Sequence, residues 1–376
     1  MATLVVVEDI AGPAVIGRGG QAMRVMAVLE GLRRLGHDVL FLEFVEPEPD
    51  PSSASYFMRT VTTWWDPRRA ALIDGATGTV LAGAGLAQIE ATVERADAVV
   101  FNSAIYRREP WPLVAGIRPR ILWEQDPGYT HLWAQDGDPR DIFGDHDVHF
   151  TVGLNVGTDR CALPTAGLDW RPLPPPVILD WWPGSPVVRN RFTTVAGWRD
   201  YGYLEWEGQV VGPKDEQWRA FIDLPARAGE PLELALAIDE DDPDRALLTE
   251  NGWVLEDPRV AAGADEYRAW VSESAGEFSC AKGGYVATRS GWFSDRSAAY
   301  LAAGRPVIVQ STGFEDVLPT GEGLFAVGDV DEAAEAIRAV RADYARHARA
   351  ARAIAREHLA AERVLPRLLE PVGVGA

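Results

Sequence analysis

One segment predicts the local architecture more strongly than any other, and it reads Ser290-Gly291-Trp292-Phe293-Ser294-Asp295-Arg296-Ser297-Ala298-Ala299-Tyr300-Leu301-Ala302-Ala303-Gly304-Arg305-Pro306-Val307-Ile308-Val309. A glycine loop leads into a short helix whose start is marked by Ser294, Asp295 and Ser297, residue types that cap helix N-termini. The helix ends at Gly304, and a buried strand follows. Because a helix N-terminus offers free N–H groups and the positive end of a dipole, the segment predicts a diphosphate-binding site.

Strand and helix patterns alternate on both sides of this segment. In the carboxyl half, the predicted strands are Phe192–Ala196, Leu232–Ile238 and Arg305–Gln310, and the predicted helices are Ser297–Ala303, Asp331–Val340 and a long tail over Tyr344–Leu369. In the amino half, the predicted strands are Leu4–Val7, Val39–Phe44, Ala98–Phe101 and Arg120–Trp123, with helices from the Gly19-Gly20 loop to Gly36 and around Leu86–Ala96. Repeated alternation of this kind predicts doubly wound parallel sheets.

A proline-rich segment separates the two halves. Five of the 14 residues from 170 to 183 are proline, a density typical of a stiff extended linker. We therefore predict an α/β protein of two Rossmann-like, doubly wound domains joined by this segment. The predicted ranges are residues 1–180, residues 181–345 and a C-terminal helix over residues 346–376.

The composition limits the partners of the chain. Asp and Glu outnumber Lys and Arg by 56 to 36, and the resulting formal charge of −20 disfavours nucleic acid and anionic membrane surfaces. The sequence contains no long apolar segment of the kind that spans a bilayer and no secretory signal. The two cysteines, Cys161 and Cys280, lack zinc-type spacing. We expect a cytoplasmic protein with no nucleic-acid partner and no integral membrane segment; the oligomeric state is left open.

The helix, the Ala303-Gly304-Arg305-Pro306-Val307 turn and the following strand resemble the donor half of GT-B glycosyltransferases. The resemblance continues in two later glycine-containing segments, Gly313-Phe314 and Gly321-Glu322-Gly323, and in the Gly19-Gly20 loop of the amino half. It implies that the two domains face each other across a cleft, with the acceptor-side domain at 1–180 and the nucleotide-sugar donor domain at 181–345. It also implies a final helix at 346–376 that crosses back to the first domain. The implied activity is transfer of a sugar from a nucleoside-diphosphate sugar to a small-molecule or glycan acceptor, with no further cofactor and no metal.

Nine residues are predicted to bind the donor. They are Gly19, Gly20, Lys214, Lys282, Trp292, Ser294, Asp295, Arg296 and Ser297. Lys282 and Arg296 would neutralise the departing diphosphate, and Lys214, the only other lysine, would contact a phosphate. These residue types also have purely structural roles: cations are common on solvated surfaces, tryptophans in hydrophobic cores and paired glycines at the start of helices.

One departure from the resemblance concerns stereochemistry. Many retaining GT-B enzymes carry a glutamate on the donor helix five residues before the glycine of the turn, where this chain has Ala299. Asp295, about one turn earlier, is the candidate substitute. The absence of the glutamate slightly favours inversion, and the stereochemical class stays open.

Two residues are predicted to take part in catalysis. Inverting transfer needs a base for the acceptor hydroxyl, and carboxylates and imidazoles are the usual choice. Asp126 and His131 lie just past a predicted strand, at the sheet edge where parallel sheets place their sites. Asp126-Pro127-Gly128 is also an ordinary turn sequence.

Two other functions fit parts of the sequence. The segment Gly17–Ala22 matches the G-x-G-x-x-A pattern of NAD(P)-dependent dehydrogenases, with Glu43 where a ribose-binding acid belongs. About ten residues separate Val7 from Gly17, however, although that pattern should begin where the first strand ends. A non-catalytic nucleotide-sugar-binding protein is the third possibility. The acidic and histidine residues at 145–149 suit a metal only by residue type, and no metal site is predicted.

Overall fold

The computed structural model describes residues 1–46, 50–103, 109–199 and 201–373. The first of its two large sheets contains eight strands in the order β4-β3-β2-β1-β5-β6-β7-β8, with only the β3–β4 pair antiparallel. These strands are β1 Thr3–Val7, β2 Asp38–Val45, β3 Ala70–Asp74, β4 Val80–Gly83, β5 Ala98–Phe101, β6 Arg120–Glu124, β7 Val148–Thr151 and β8 Trp170–Pro172.

The second large sheet contains six strands, all parallel, in the order β13-β12-β9-β14-β15-β16. A separate hairpin, β10–β11, lies between its first two strands along the chain. The strands are β9 Arg189–Gly197, β10 Leu204–Trp206, β11 Gln209–Val211, β12 Leu232–Ala237, β13 Trp253–Glu256, β14 Ser274–Ser279, β15 Val307–Gln310 and β16 Leu324–Val327.

Helices follow most strands and cover both faces of each sheet. The α-helices are α1 Gly19–Arg34, α2 Ser53–Trp64, α3 Leu86–Val93, α4 Tyr129–Trp133, α5 Arg140–Phe143, α6 Lys214–Ala220, α7 Leu224–Ala228, α8 Pro243–Glu250, α9 Ala264–Glu273, α10 Gly283–Ala287, α11 Asp295–Ala302, α12 Val330–Ala342, α13 Tyr344–Ile354 and α14 Ala361–Leu369. Short 3₁₀ turns occur at Pro67–Arg69, Pro112–Val114, Ala134–Asp136, Leu179–Trp181, Pro258–Ala261, Phe314–Asp316 and Glu370–Val372. None of the helices in the described residues is long and apolar enough to cross a bilayer.

The continuous apolar runs form the central strands because both faces of each sheet are covered. Leu4, Val5 and Val6 on β1 are all fully buried, so successive side chains on opposite faces are equally apolar. The strands predicted at 98–101 and 305–310 correspond to β5 and β15 within two residues at each end. The prediction of two doubly wound α/β units is confirmed.

Two predicted elements differ in the structure. The segment at 170–183 is more than a linker, because β8 pairs in parallel with β7 and completes the first sheet before a 3₁₀ turn at Leu179–Trp181. The tail is not one long helix: α13 ends at Ile354, a π-helical turn follows, and α14 begins after the extended residue Ala360. The break has a tertiary cause that no periodicity reveals, since the backbone of Val177 pairs with Leu359 and Ala361 on either side of it.

Helix α14 packs closely against α1, the helix between β1 and β2 of the first sheet. A Cβ added at Gly31 of α1 would lie 2.8 Å from the Cβ of Ala361 and would also collide with Leu365. The glycine therefore sets the distance between the two helices. The division of the chain at residues 180 and 345 stays a prediction, and residues 374–376 of the predicted final segment lie outside the described residues.

We expect Gly31→Ala to destabilise the protein. Replacing a glycine inside a helix by alanine normally stabilises it by about 0.5–1 kcal/mol, but the added methyl group here enters occupied space, and overpacking costs about 1–3 kcal/mol. The midpoint of urea-induced unfolding should therefore fall. Gly116→Ala is the control, because a Cβ at that position meets nothing within 4 Å. A rise in the Gly31→Ala midpoint would contradict the close α1–α14 contact.

Candidate functional site

A cavity of about 510 Å³ lies between the carboxyl edges of the two large sheets. Its walls come from loops that follow β6 and β7 of the first sheet and β9, β12 and β14 of the second, together with the N-termini of α1 and α11. Most of the predicted site residues line it: Gly19, Gly20, Asp126, Lys214, Lys282, Trp292, Ser294, Asp295 and Arg296. We call this cavity the cleft.

A carboxylate from the first sheet meets three donors from the second across the cleft. Asp126, just after β6, accepts a hydrogen bond of 2.6 Å from the Tyr285 hydroxyl and one of 2.9 Å from the Tyr201 hydroxyl. The ammonium of Lys282 lies 3.3 Å from the same carboxylate. Burial alone would raise the pKa of Asp126, but Lys282 and the tyrosine hydroxyls outweigh it, so the pKa lies below its ordinary value.

Lys282 occupies an aromatic environment. Its side chain is buried, and the ammonium lies 3.5 Å from the centroid of the Tyr201 ring, with Tyr129 and Tyr285 also near it. Such cation–π contacts are worth about 2 kcal/mol when the cation is desolvated. Lys214 begins α6 on the same wall of the cleft, and the two lysine loops are joined by a hydrogen bond of 2.9 Å from the Gly283 N–H to the Gly212 carbonyl.

Glu124 supports the Asp126 loop from below. This fully buried carboxyl accepts hydrogen bonds from the Asp126 N–H and the Thr130 hydroxyl at one oxygen, and from the Thr151 hydroxyl, at 2.8 Å, at the other. Burial, with Asp126 as a second contribution, raises the pKa of Glu124 to about 8. The acid therefore carries a proton at neutral pH while Asp126 above it is ionised.

The start of α11 has the predicted capped geometry. The Ser294 hydroxyl accepts a hydrogen bond of 3.2 Å from the Arg296 N–H, and Asp295 is partly exposed to the cleft. Ser297 is buried and does not line the cleft, so its side chain is not available to a ligand there. Ala299 is also buried, which excludes position 299 from the wall of the cleft.

The guanidinium of Arg296 is committed to the protein itself. It donates to Glu277 on β14 at 2.6 Å, to the Ser279 hydroxyl at 2.5 Å and to the Val195 carbonyl at 2.9 Å. Glu277 is fully buried, so the two charges compensate each other inside the second domain. Arg296 therefore anchors α11 to the sheet, and its position differs from that of a cation free to neutralise a diphosphate.

Arg24 is a cleft residue that the sequence did not reveal. It lies on α1, pairs with the buried Glu8 at 3.2 Å and approaches Asp295 on α11 to 4.0 Å. Tyr285 and Tyr201 were missed as well. Tyr285 follows Lys282 by three residues on α10, which is a helical spacing that could have suggested it, whereas nothing in the sequence pointed to Arg24 or Tyr201.

The paired glycines bring the two halves together. A Cβ at Gly19 would lie 2.5 Å from the Ala261 carbonyl oxygen and would also collide with the backbone of Gly263. At Gly20 the nearest atoms belong to the Tyr267 ring, at 3.1 Å. The two glycines thus permit close approach of residues from the other half of the chain, and their predicted contact with the donor stays a prediction.

Trp292 is half-buried at the boundary between the two halves. Its ring stacks on Tyr285 with centroids 4.7 Å apart, and its backbone forms an antiparallel bridge with Gly153. It lines the cleft, so the ring offers a wall to a ligand while belonging to an aromatic cluster.

The prediction that His131 is catalytic is not supported by its position. The ring is fully buried and packs against Trp170, at 4.7 Å between centroids, and Phe143, at 5.4 Å. Burial lowers its pKa to about 3, so the imidazole stays neutral. The helix α4 turns the side chain into the core of the first domain, and only Asp126 of the predicted pair faces the cleft.

The geometry also bears on the two weaker motifs. Glu43 is fully buried, and one oxygen accepts hydrogen bonds from the Ala11 and Gly12 N–H groups, so it supports the loop after β1 instead of facing a ribose. In the 145–149 cluster, Asp145 and Asp147 form ion pairs with Arg118. Among the residues that the structure describes, no group of three or more acidic, His or Cys side chains could hold a metal ion.

Solved structures share this fold, although no protein-family model matches the chain and no curated protein is similar to it in sequence. HepE from Anabaena, in complex with UDP and glucose, superimposes with a TM-score of 0.58 at 14% identity over 100% of both chains. An α-glucosyltransferase in complex with UDP gives 0.57 at 12% identity, over 99% of this chain and 100% of that one. Sucrose-phosphate synthase from Thermosynechococcus elongatus gives 0.56 at 15% identity, over 99% and 98%. The chain therefore has the predicted GT-B fold.

We expect Glu124→Gln to remove part of the pH dependence of stability. Because the folded-state pKa of about 8 lies above the ordinary 4.5, the contribution of Glu124 is complete below pH 4.5 and is lost as the pH rises toward 8. Glutamine cannot ionise and reproduces the protonated acid. The free energy of unfolding of the wild type, relative to the variant, should therefore fall across this window by on the order of 1 kcal/mol per pH unit.

Urea unfolding at several pH values between these limits measures this difference. Glu250→Gln, which changes an exposed carboxylate at the end of α8, is the matched control. A wild-type-to-variant difference that stays constant with pH would show that Glu124 is ionised throughout and would contradict the buried, protonated acid.

Proposed function

We propose that this chain is a glycosyltransferase that moves a sugar from a nucleoside-diphosphate sugar to a hydroxyl of a small-molecule or glycan acceptor. The observation that carries the proposal is the arrangement across the cleft. Two lysines and a capped helix N-terminus stand on the wall formed by the second sheet, and an ionised carboxylate, Asp126, stands opposite them on the first. The first domain binds the acceptor and the second binds the donor.

The donor diphosphate is placed at the start of α11. Free N–H groups and the dipole of this helix favour an anion there, and Lys282 and Lys214 line the same wall. HepE, which has the same fold at a TM-score of 0.56 and 15% identity, was solved in complex with UDP-glucose, and this supports a nucleotide-sugar as the donor. The lysines and the helix supply the positive charge, and we propose that transfer needs no metal and no further cofactor.

In the proposed reaction, Asp126 accepts one proton, that of the acceptor hydroxyl. The acceptor oxygen attacks the anomeric carbon of the donor, the bond from that carbon to the phosphate oxygen breaks, and the nucleoside diphosphate leaves with the electron pair. The acceptor hydroxyl proton passes to the Asp126 carboxylate. Retention or inversion stays open, since position 299 carries no carboxylate and Asp295 is the nearest acid on α11 that faces the cleft.

Donor binding activates the base in this scheme. Lys282 now pairs with Asp126 and holds its pKa low. A diphosphate carries more negative charge than a carboxylate and competes for the same ammonium. As Lys282 turns toward the donor, Asp126 loses its strongest charge partner, and its basicity rises when the acceptor is needed.

The proposed partners follow from charge and geometry. Because the formal charge of −20 disfavours nucleic acid, we propose that the chain acts on small molecules or glycans. We also propose that it works in the cytoplasm. One protein of similar fold, an α-glucosyltransferase, was solved with UDP and a 13-mer DNA, at a TM-score of 0.54 and 12% identity. A dehydrogenase is not favoured, because Glu43 is buried beneath the loop after β1. A non-catalytic sugar-nucleotide-binding protein is the remaining alternative.

We expect UDP or another nucleoside diphosphate to raise the melting temperature, and Lys282→Met to reduce that rise. Ligand at 100 times its Kd stabilises the folded state by about 2.7 kcal/mol, and removal of the ammonium takes away a phosphate contact. A thermal-shift series with UDP, GDP, TDP and NAD(P), each with and without EDTA, makes the measurement.

Arg140→Met is the matched control for that series, because it removes an exposed cation outside the cleft. The transferase proposal requires a nucleoside-diphosphate shift that survives EDTA. A shift with NAD(P) alone would transfer support to the dehydrogenase, and an effect of Arg140→Met equal to that of Lys282→Met would show only a general loss of charge.

We expect Asp126→Asn to lower the release of nucleoside diphosphate from a nucleotide-sugar about 10²- to 10⁴-fold, the range lost with a general base. Water serves as acceptor when no other is known. The thermal shift with the nucleoside diphosphate should persist, since the base is not needed for donor binding. Equal rates above background for wild type and Asp126→Asn would contradict the role of Asp126 as the base. Donor binding by the wild type without any release above background would favour the non-catalytic alternative.

A further inference from the structure

A second cavity, of about 720 Å³, lies on the side of the first sheet remote from the cleft. Its lining includes Asp38 and Val39, where β2 begins, and Arg69, just before β3. The cleft, in contrast, is lined by residues that follow the carboxyl ends of strands. The two cavities are therefore at opposite edges of one sheet and share no lining residue. We call the second one the edge cavity.

Three tryptophans gather at the edge cavity. Trp64 ends α2, Trp65 follows it, and Trp181 ends the 3₁₀ turn at Leu179–Trp181. All three are partly exposed, and the Trp64 and Trp181 rings meet edge to face with centroids 5.1 Å apart. Partly exposed indoles combine a large apolar surface with an N–H donor, a combination enriched where a ligand has both apolar faces and polar edges.

The charged groups around the tryptophans compensate one another. Glu30 pairs with Arg33, and Asp38 pairs with Arg69. Asp66 pairs with Arg68 at 3.0 Å. Because each carboxylate on this rim already faces a guanidinium, the cavity offers no net field that would select an anion or a cation. It offers instead a ring of fixed donors and acceptors suited to neutral hydroxyl groups.

Two N–H donors at the edge cavity lack a partner within the described residues. The Nδ1 atom of His37 accepts a hydrogen bond of 3.3 Å from the Ala2 N–H, so Nε2 carries the proton, and that buried atom has no acceptor. The buried Nε1–H of Trp64 has none either. His37 is only 5% exposed, and a buried donor left unpaired costs about 1–3 kcal/mol. Both residues line the cavity, and a small rotation of either ring would be needed to bring its N–H to an oxygen acceptor of a ligand there.

We propose that the edge cavity is a carbohydrate-binding site that takes a neutral oligosaccharide, separate from the cleft. Pyranose rings present apolar faces to indole surfaces and hydroxyl groups to the surrounding donors and acceptors, which is the chemistry that this cavity provides. The proposal does not depend on the transferase activity, because it rests on a different set of residues.

The test uses an array of neutral oligosaccharides probed with the labelled protein, once without UDP and once with saturating UDP. Thr63→Arg is the decisive variant: Thr63 is exposed on α2 and lines the edge cavity, so the arginine side chain fills the cavity without touching the core. Thr62→Arg is its matched control, since Thr62 is exposed on the same helix but does not line the cavity. Trp181→Ala is a second variant, with Trp206→Ala on the hairpin as its control.

We expect wild type and Thr62→Arg to bind at least one class of neutral glycan, and Thr63→Arg and Trp181→Ala to bind it at least about tenfold more weakly. Absence of binding by the wild type to every glycan on the array overturns the proposal. So does binding that Thr63→Arg leaves intact, or binding that UDP abolishes, since either places the glycan elsewhere. Because no donor sugar is turned over, failure of the transferase proposal leaves this readout unchanged.

Discussion

The carboxylate of Asp126 joins the two halves of the molecule. Among the described residues of the cleft, it is the only acid that accepts hydrogen bonds from the opposite wall. The Tyr285 hydroxyl donates at 2.6 Å and the Tyr201 hydroxyl at 2.9 Å. Charge-assisted hydrogen bonds of this kind are about twice as strong as neutral ones. The same carboxylate pairs with Lys282, so the electrostatics of the wall formed by the second sheet depend on an acid from the first sheet.

Close backbone contacts fix the separation at which that carboxylate can reach its donors. The Tyr56 hydroxyl donates to the Ala262 carbonyl at 2.8 Å, and the Asn155 amide donates to the Gly313 carbonyl at 2.9 Å. Gly19 allows α1 to abut the loop that contains Ala262. These contacts join the two halves at separate places, and together they hold the two walls of the cleft at a fixed separation.

The sequence predicts what depends on neighbours along the chain and misses what depends on neighbours in space. Apolar runs and caps locate the strands and the start of α11, because both are local properties. Arg296 looked like a donor ligand because its partner, Glu277, lies on β14 and is brought close only by the parallel sheet. His131 follows β6 by a spacing that suggests the cleft, yet the direction of α4 turns it toward Trp170. The break at Ala360 depends likewise on pairing with Val177.

The chain has 34 arginines and only two lysines, and the contacts of Lys282 differ in kind from those of the arginines in the cleft. Arg24 and Arg296 each bridge several fixed acceptors, for which a planar guanidinium with five N–H groups is suited. Lys282 instead lies between the Tyr201 ring and one carboxylate, and in the proposed reaction it must exchange that carboxylate for a phosphate. The ammonium also donates to the Tyr285 hydroxyl at 3.3 Å. A compact ammonium on a flexible stem exchanges such single contacts more readily than a planar guanidinium, which would bind Asp126 through two N–H groups at once. A lysine at position 282 thus suits the reversible contact that the proposed reaction needs.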